Sequence, residues 1–154
     1  MAWRQRLAVA AAALWWGSLT AIGGLTVPLL FAHLPSPALA GNVAAKLFSA
    51  QSWVSLGCAV VLLLCLRRPG SAPSMGAAGG AAAFVLAGAL LALVIEHGVA
   101  PRILARQNLA WWHTAGTAMF AAQWACALVA LWRFALAGGP SGPPVPEAPT
   151  EPGR

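Results

Sequence analysis

Three histidines and one glutamate are the residues of this chain best suited to chemistry. His33, His97 and His113 fall toward one end of the predicted helices, and Glu96 directly precedes His97. Imidazole and carboxylate groups bind zinc or copper, and a histidine can be an axial haem ligand. The spacing contains no compact motif such as HxxxH. One hypothesis is a metal or haem site, and the other is a set of interfacial histidines that hydrogen-bond to loops or water.

Glu96 is also the only acidic residue before the C-terminal tail. A carboxylate within a transmembrane helix is costly unless it is paired or hydrated. Lys46 is predicted at a matching depth when each helix is counted from its cytoplasmic end, and Arg102 is an alternative partner at the interface. A structural ion pair between Lys46 and Glu96 is one hypothesis. A proton or ion relay through Glu96 and His97 is the other.

Four further residues are predicted to shape or connect helices. Gln51 and Gln123 are expected to face the interior and form helix-to-helix hydrogen bonds, because an amide turned to lipid lacks partners. Pro28 is expected to kink the first helix or loosen its last turn. Pro101, together with Gly98, is expected to mark the end of the third helix.

The composition lacks the charged surface of a soluble domain. Of 154 residues, 60% are hydrophobic and 8% are charged, and the mean hydropathy is +0.75. Four continuous windows reach the roughly 20 apolar residues that a membrane-spanning helix needs: 7–33, 37–66, 79–100 and 109–136. The Ser36-Pro37 pair is a helix start signal for the second. The sequence predicts an all-α bundle of four transmembrane helices, up-down-up-down, in residues 1–137, and a disordered Pro/Gly-rich tail in residues 138–154.

The positions of the basic residues indicate a membrane orientation rather than nucleic-acid binding. The formal net charge is +6, but the nine Lys and Arg residues flank or interrupt hydrophobic segments and form no basic face. Six fall at one end of the predicted bundle and three at the other. Because excess Lys and Arg marks the cytoplasmic side, both termini are predicted in the cytoplasm. A cleaved signal peptide is the alternative for the N-terminus, but the apolar run is too long for one.

An internal repeat is a further hypothesis. Pro28 matches Pro101 at an offset of 73 residues, and Phe48 and Gln51 match Phe120 and Gln123 at an offset of 72. Such a repeat would make the second helical hairpin a copy of the first, related by a pseudo-twofold axis along the membrane normal. Chance similarity in an alanine-rich chain is the alternative.

Two stretches carry a resemblance to a known family. The runs "VPLLFAHLPSPALAGNVAAKLFSAQSW" and "RILARQNLAWWHTAGTAMFAAQW" resemble the family of domain of unknown function 4149, which is similar to vertebrate transmembrane protein 205. The resemblance implies an uncharacterised four-helix integral membrane protein with no established activity. It also implies distant similarity to copper-resistance D-like proteins, some of which use histidines for haem or metal, but it transfers no site residue. With a composition typical of a GC-rich bacterium, it implies the bacterial inner (plasma) membrane.

Three functions follow as hypotheses. The first is a non-enzymatic bundle in membrane organisation or stress tolerance, or a subunit of a membrane assembly. The second is a small transporter or ion-translocating protein that uses Glu96. The third is a haem- or copper-binding membrane protein that uses the outer-face histidines. An enzyme is not expected, because the sequence has no phosphate-binding glycine loop, no Ser/His/Asp set and no carboxylate pair. The expected partners are the lipid bilayer and either a second copy in a homodimer or a larger membrane complex.

Overall fold

Four long helices make up the part of the chain that the computed structural model describes, residues 2–67, 77–105 and 107–137, and these residues form no strand. Helix 1 comprises Ala2–Ala21, Ile22–Thr26 and Val27–His33, helix 2 is Pro37–Leu66, helix 3 comprises Ala77–Val94, Ile95–Val99 and Ala100–Leu104, and helix 4 is Leu109–Leu136. All four are long and apolar enough to cross a membrane. The predicted all-α class is therefore confirmed. The predicted tail and most of the turn between helices 2 and 3 lie outside the described residues.

Helices 1 and 3 each contain a five-residue π-helical segment immediately before a proline-bearing turn. These segments are Ile22–Thr26, which precedes Pro28, and Ile95–Val99, which precedes Pro101. Proline has no N–H, and its ring clashes with the carbonyl four residues earlier in a regular α-helix. A π turn widens the backbone at that point and lets the helix continue.

The π segment corrects the predicted end of helix 3. The sequence predicts that Gly98 and Pro101 end this helix near residue 100, but it continues to Leu104. At the exit from the π segment the Ala100 N–H donates to the Ile95 carbonyl, five residues back, so the chain stays helical across the proline. Helix 1 also begins earlier than predicted, at Ala2 rather than residue 7.

Helix 2 begins at the residue that its start signal predicts. Ser36 has an extended backbone, and its hydroxyl oxygen accepts a hydrogen bond from the Leu39 N–H at 3.3 Å. Pro37 occupies the first turn, where its missing N–H has no helical partner to lose. Only residues 34–36 therefore separate helices 1 and 2, and the two must pack closely.

Each helix packs most extensively against two others. Helix 1 contacts helices 2 and 4, and helix 3 contacts the same two. At the start of helix 1, Arg4 donates to the carbonyl oxygens of Leu64 and Arg67 at 2.8 Å each, and Gln5 donates to the Phe134 carbonyl. The first turn of helix 1 is therefore hydrogen-bonded to the C-terminal ends of helices 2 and 4.

Trp15 is the largest fully buried side chain. It packs over Gly88 of helix 3, where an added Cβ would lie 2.7 Å from Trp15 Cη2 and 3.3 Å from Cys126 Cβ. Small residues at such crossings let membrane helices approach closely, and van der Waals packing is a main source of their association. The tryptophan and the glycine therefore form one packing unit that joins helices 1, 3 and 4.

Candidate functional site

A cavity of about 340 Å³ lies between the two helical hairpins, beside the two π segments. On helices 2 and 4 the residues that line it form four pairs at an offset of 72: Gly41 with His113, Ala44 with Gly116, Ala45 with Thr117, and Phe48 with Phe120. On helices 1 and 3 two pairs follow at an offset of 73, namely Val27 with Ala100 and Phe31 with Leu104. Equivalent positions of both hairpins thus build the wall.

The pairing supports the internal repeat that the sequence suggests. The offsets that align Pro28 with Pro101 and Phe48 with Phe120 also pair most of the lining, and the two π segments lie 73 residues apart. Because helix 1 packs between helices 2 and 4, as helix 3 does, the two hairpins occupy equivalent places in the bundle. The structure therefore places equivalent positions of the proposed repeat around one cavity.

An aromatic pair closes the deep end of the cavity. The rings of Phe48 and Phe120 meet edge to face, with centroids 5.2 Å apart and planes at 77°. Gly23 makes room for this pair, since a Cβ there would lie 2.6 Å from Phe120 Cε1. The contact joins helices 2 and 4, which pack less extensively on each other than on helices 1 and 3.

Both predicted interior glutamines are buried, three residues beyond these phenylalanines. Gln51 Nε2 donates to Ser18 Oγ of helix 1 at 2.9 Å. Gln123 Nε2 has no hydrogen-bond partner among the described residues. The structure therefore gives only the first glutamine a helix-to-helix hydrogen bond.

Glu96 lies in the second π segment and is bound by a residue that the sequence reasoning missed. Ser49 Oγ of helix 2 donates to Glu96 Oε1 at 2.6 Å. Lys46 is exposed, and the structure does not bring it into an ion pair with Glu96. Ser49 stands three residues after Lys46 and thus near the same face of helix 2, so the depth argument that selected the lysine applies to the serine as well.

Arg102, the other proposed partner of Glu96, contacts other residues. The Arg102 guanidinium lies over the Trp112 ring, 4.7 Å from its centroid, and donates to the Gly98 carbonyl at 2.5 Å. The cation–π contact connects the last turn of helix 3 with the first turn of helix 4. Arg102 therefore stabilises the connection between helices 3 and 4.

The three histidines are exposed and are not gathered into one site. His33 Nδ1 lies 3.1 Å from the Leu29 carbonyl oxygen of its own helix, His97 is in the π segment, and His113 lines the cavity. Over the described ranges, no three His, Cys, Asp or Glu side chains are close enough to hold a metal ion. The described residues therefore give no three-ligand site for the metal hypothesis.

Comparison with protein families gives a match over much of the chain. The family described as "Domain of unknown function (DUF4149)" matches residues 10–111, more than half of the chain. This chain belongs to the DUF4149 family. The match confirms the resemblance to this family. No curated protein and no solved structure matches the chain.

The matched region of this DUF4149 protein contains only part of the cavity. It includes Ser49, Glu96 and both π segments, but it ends before His113 and Phe120 of helix 4. Together with the four membrane-crossing helices, the family match identifies an integral membrane protein.

Proposed function

We propose that this DUF4149 protein is a non-enzymatic integral membrane protein that binds a small, mainly apolar molecule in the cavity between its hairpins. The observation that supports this proposal is a cavity of about 340 Å³ whose wall comes from corresponding residues of both hairpins. Small-molecule sites are typically concave and largely apolar, with few polar groups, and lie between the helices of bundles. Apart from His113 and Thr117, the lining consists of aliphatic, aromatic and glycine residues.

The polar groups near the cavity favour binding over catalysis. The Thr117 hydroxyl donates to the His113 carbonyl of its own helix at 2.9 Å. Glu96 accepts from Ser49 and is not among the residues that line the cavity. Nucleophilic catalysis needs a nucleophile and a base within hydrogen-bond reach of each other. The hydroxyl and the carboxylate described here each have another partner.

Two glycines of helix 2 provide a matched test. Gly41 lines the cavity and Gly57 does not, and a Cβ added at either position meets no atom within 4 Å. The Gly41→Leu change should fill part of the cavity, whereas Gly57→Leu makes the same chemical change elsewhere on the helix. We would measure labelling of each variant by a photoreactive hydrocarbon in lipid nanodiscs, and map the labelled peptides by mass spectrometry.

We expect Gly41→Leu to lower labelling of cavity peptides about tenfold, which corresponds to about 1.4 kcal/mol of binding free energy. Gly57→Leu should leave labelling unchanged. Equal labelling of wild type and Gly41→Leu, with both variants folded, would refute the proposal. Labelling spread evenly over the lipid-facing surfaces would refute it as well.

A second candidate is ion translocation, which the Ser49–Glu96 hydrogen bond favours. A partly buried carboxylate in a π segment is an unusual feature of a membrane span, and such features often mark functional positions. Proton flux in proteoliposomes, followed with a pH-sensitive dye, tests this candidate. Glu96→Gln should abolish the flux, and Lys46→Ala should leave it intact because Lys46 is exposed and unconnected to Glu96.

For the cellular setting we propose the bacterial inner membrane with both termini in the cytoplasm. The support is the excess of basic residues at the end of the bundle that contains Arg4, Arg67 and Arg133. We also propose assembly as a homodimer or within a larger membrane complex. Accessibility of single introduced cysteines in intact cells tests the orientation, and crosslinking in membranes tests the assembly.

A further inference from the structure

We infer that the molecule bound in the cavity is amphipathic, with an apolar chain in the cavity and an acidic head group bound by His113. This inference rests on the proposed function and names the chemical class of the ligand. It follows from two paired positions of the cavity wall, at which helix 2 holds a glycine or an alanine and helix 4 holds a polar residue.

Among the paired lining positions, the polar departures lie in the outer part of helix 4. Most of the paired lining positions hold apolar or glycine residues in both hairpins. Gly41 and Ala45 of helix 2, however, correspond to His113 and Thr117 of helix 4. A purely apolar ligand would gain nothing from an imidazole in the wall, because a polar group left without a partner in an apolar contact costs free energy. A ligand with one polar end would meet the imidazole on one side only.

The imidazole also stands at the correct end of the cavity for a head group. His113 is exposed and lies in the second turn of helix 4, whereas Phe120 lies at the deep end. Seven helical residues separate them, which corresponds to about 10 Å along the helix. A chain inserted toward the phenylalanine pair would therefore leave its polar end beside His113, near the membrane interface.

The charges at this end of the bundle favour an acidic head group over a basic one. The described charged residues there are Lys46 and Arg102, which are exposed and basic, and Glu96, which already accepts a hydrogen bond from Ser49. An imidazole N–H that donates to a carboxylate forms a charge-assisted hydrogen bond, which is stronger than a neutral one. The inferred ligand is therefore a single-chain acid such as a free fatty acid.

Two photoreactive probes of equal chain length test the inference: a fatty acid and the corresponding hydrocarbon. In nanodiscs we expect the acid to label cavity peptides about tenfold more than the hydrocarbon in the wild-type protein. The His113→Leu change should reduce labelling by the acid to the level of the hydrocarbon. The matched control is His33→Leu, because His33 is an exposed histidine at the same end of the bundle that does not line the cavity.

The repeat supplies a second variant. Gly41→His introduced into the His113→Leu protein places an imidazole at the equivalent position of the other hairpin, and it should restore the preference for the acid. If His113→Leu does not change labelling by the acid, the inference is overturned. The proposed function would still stand if Gly41→Leu lowers labelling by the hydrocarbon. Hydrocarbon labelling that Gly41→Leu does not change would overturn both.

Discussion

The Phe48 ring meets the Phe120 ring edge to face at 5.2 Å, and the two residues stand 72 positions apart, at equivalent places in the two hairpins. Each also lines the cavity. One aromatic contact thus ends the cavity and links helices 2 and 4 across the bundle. The packing of the two hairpins and the shape of the cavity therefore depend on the same two side chains.

This contact should appear as an energetic coupling. We expect Phe48→Ala and Phe120→Ala to lower the free energy of unfolding by less in combination than the sum of the single effects. The difference should be about 0.5–1.5 kcal/mol, the range for aromatic pairs. Unfolding in mixed detergent micelles measures it. Phe84→Ala is the control partner, because Phe84 contacts Arg133 instead and should be additive with Phe48→Ala. Additive effects of Phe48→Ala and Phe120→Ala would contradict the prediction.

Gly88 should tolerate no side chain. Its missing Cβ leaves the space that Trp15 fills, so Gly88→Ala should destabilise the bundle by about 1–3 kcal/mol through overpacking. Gly17→Ala is the control, because a Cβ there meets no atom within 4 Å. It should be neutral or stabilising by up to about 1 kcal/mol, the difference in helix propensity. The two variants share that propensity gain, so the difference in their unfolding free energies isolates the clash. Equal effects would show that Trp15 adjusts without cost.

The four spans could be predicted from the sequence because membrane crossing depends on length and apolarity, which are local properties. The start of helix 2 was predictable for a similar reason, since Ser36 and Pro37 act within one turn. The end of helix 3 was not, because the local rule that proline breaks a helix does not account for the π segment, which lets helix 3 continue past Pro101. The two prolines stand at equivalent positions of the proposed repeat, and each follows a π segment.

The candidate site was less predictable because it depends on which side of each helix faces the interior of the bundle. Depth along a helix follows from residue counting, and it placed the histidines at one end of the bundle. Which of them faces the interior depends on how neighbouring helices pack, and only His113 joins the cavity. For the same reason a matching depth selected Lys46 for Glu96, although Ser49, one turn away, is the residue in contact.

The Gln51–Ser18 hydrogen bond should contribute measurably to the packing of helices 1 and 2. Gln51 Nε2 donates to Ser18 Oγ at 2.9 Å, and Gln51 is buried. We expect a coupling of about 0.6 kcal/mol between Ser18→Ala and Gln51→Met, the average for polar pairs between membrane helices. Gln123→Met should show no coupling with Ser18→Ala, since Gln123 Nε2 has no hydrogen-bond partner among the described residues. If Ser18 couples with Gln123 and not with Gln51, the assignment of Gln51 as the hydrogen-bond partner of Ser18 is wrong.

The contribution of the Glu96 carboxylate to the stability of the bundle should depend on Ser49 and not on Lys46. The 2.6 Å hydrogen bond from Ser49 Oγ ties helix 2 to the π segment of helix 3, and hydrogen bonds to charged groups are worth about 1.5–3 kcal/mol. We therefore expect Ser49→Ala to lower the free energy of unfolding by about that amount, and Glu96→Gln to remove most of the effect of Ser49→Ala. Lys46→Ala should change the stability by less than about 0.5 kcal/mol, as for other exposed positions. A double-mutant cycle in which Lys46 and Glu96 couple more strongly than Ser49 and Glu96 would instead establish an ion pair between helices 2 and 3.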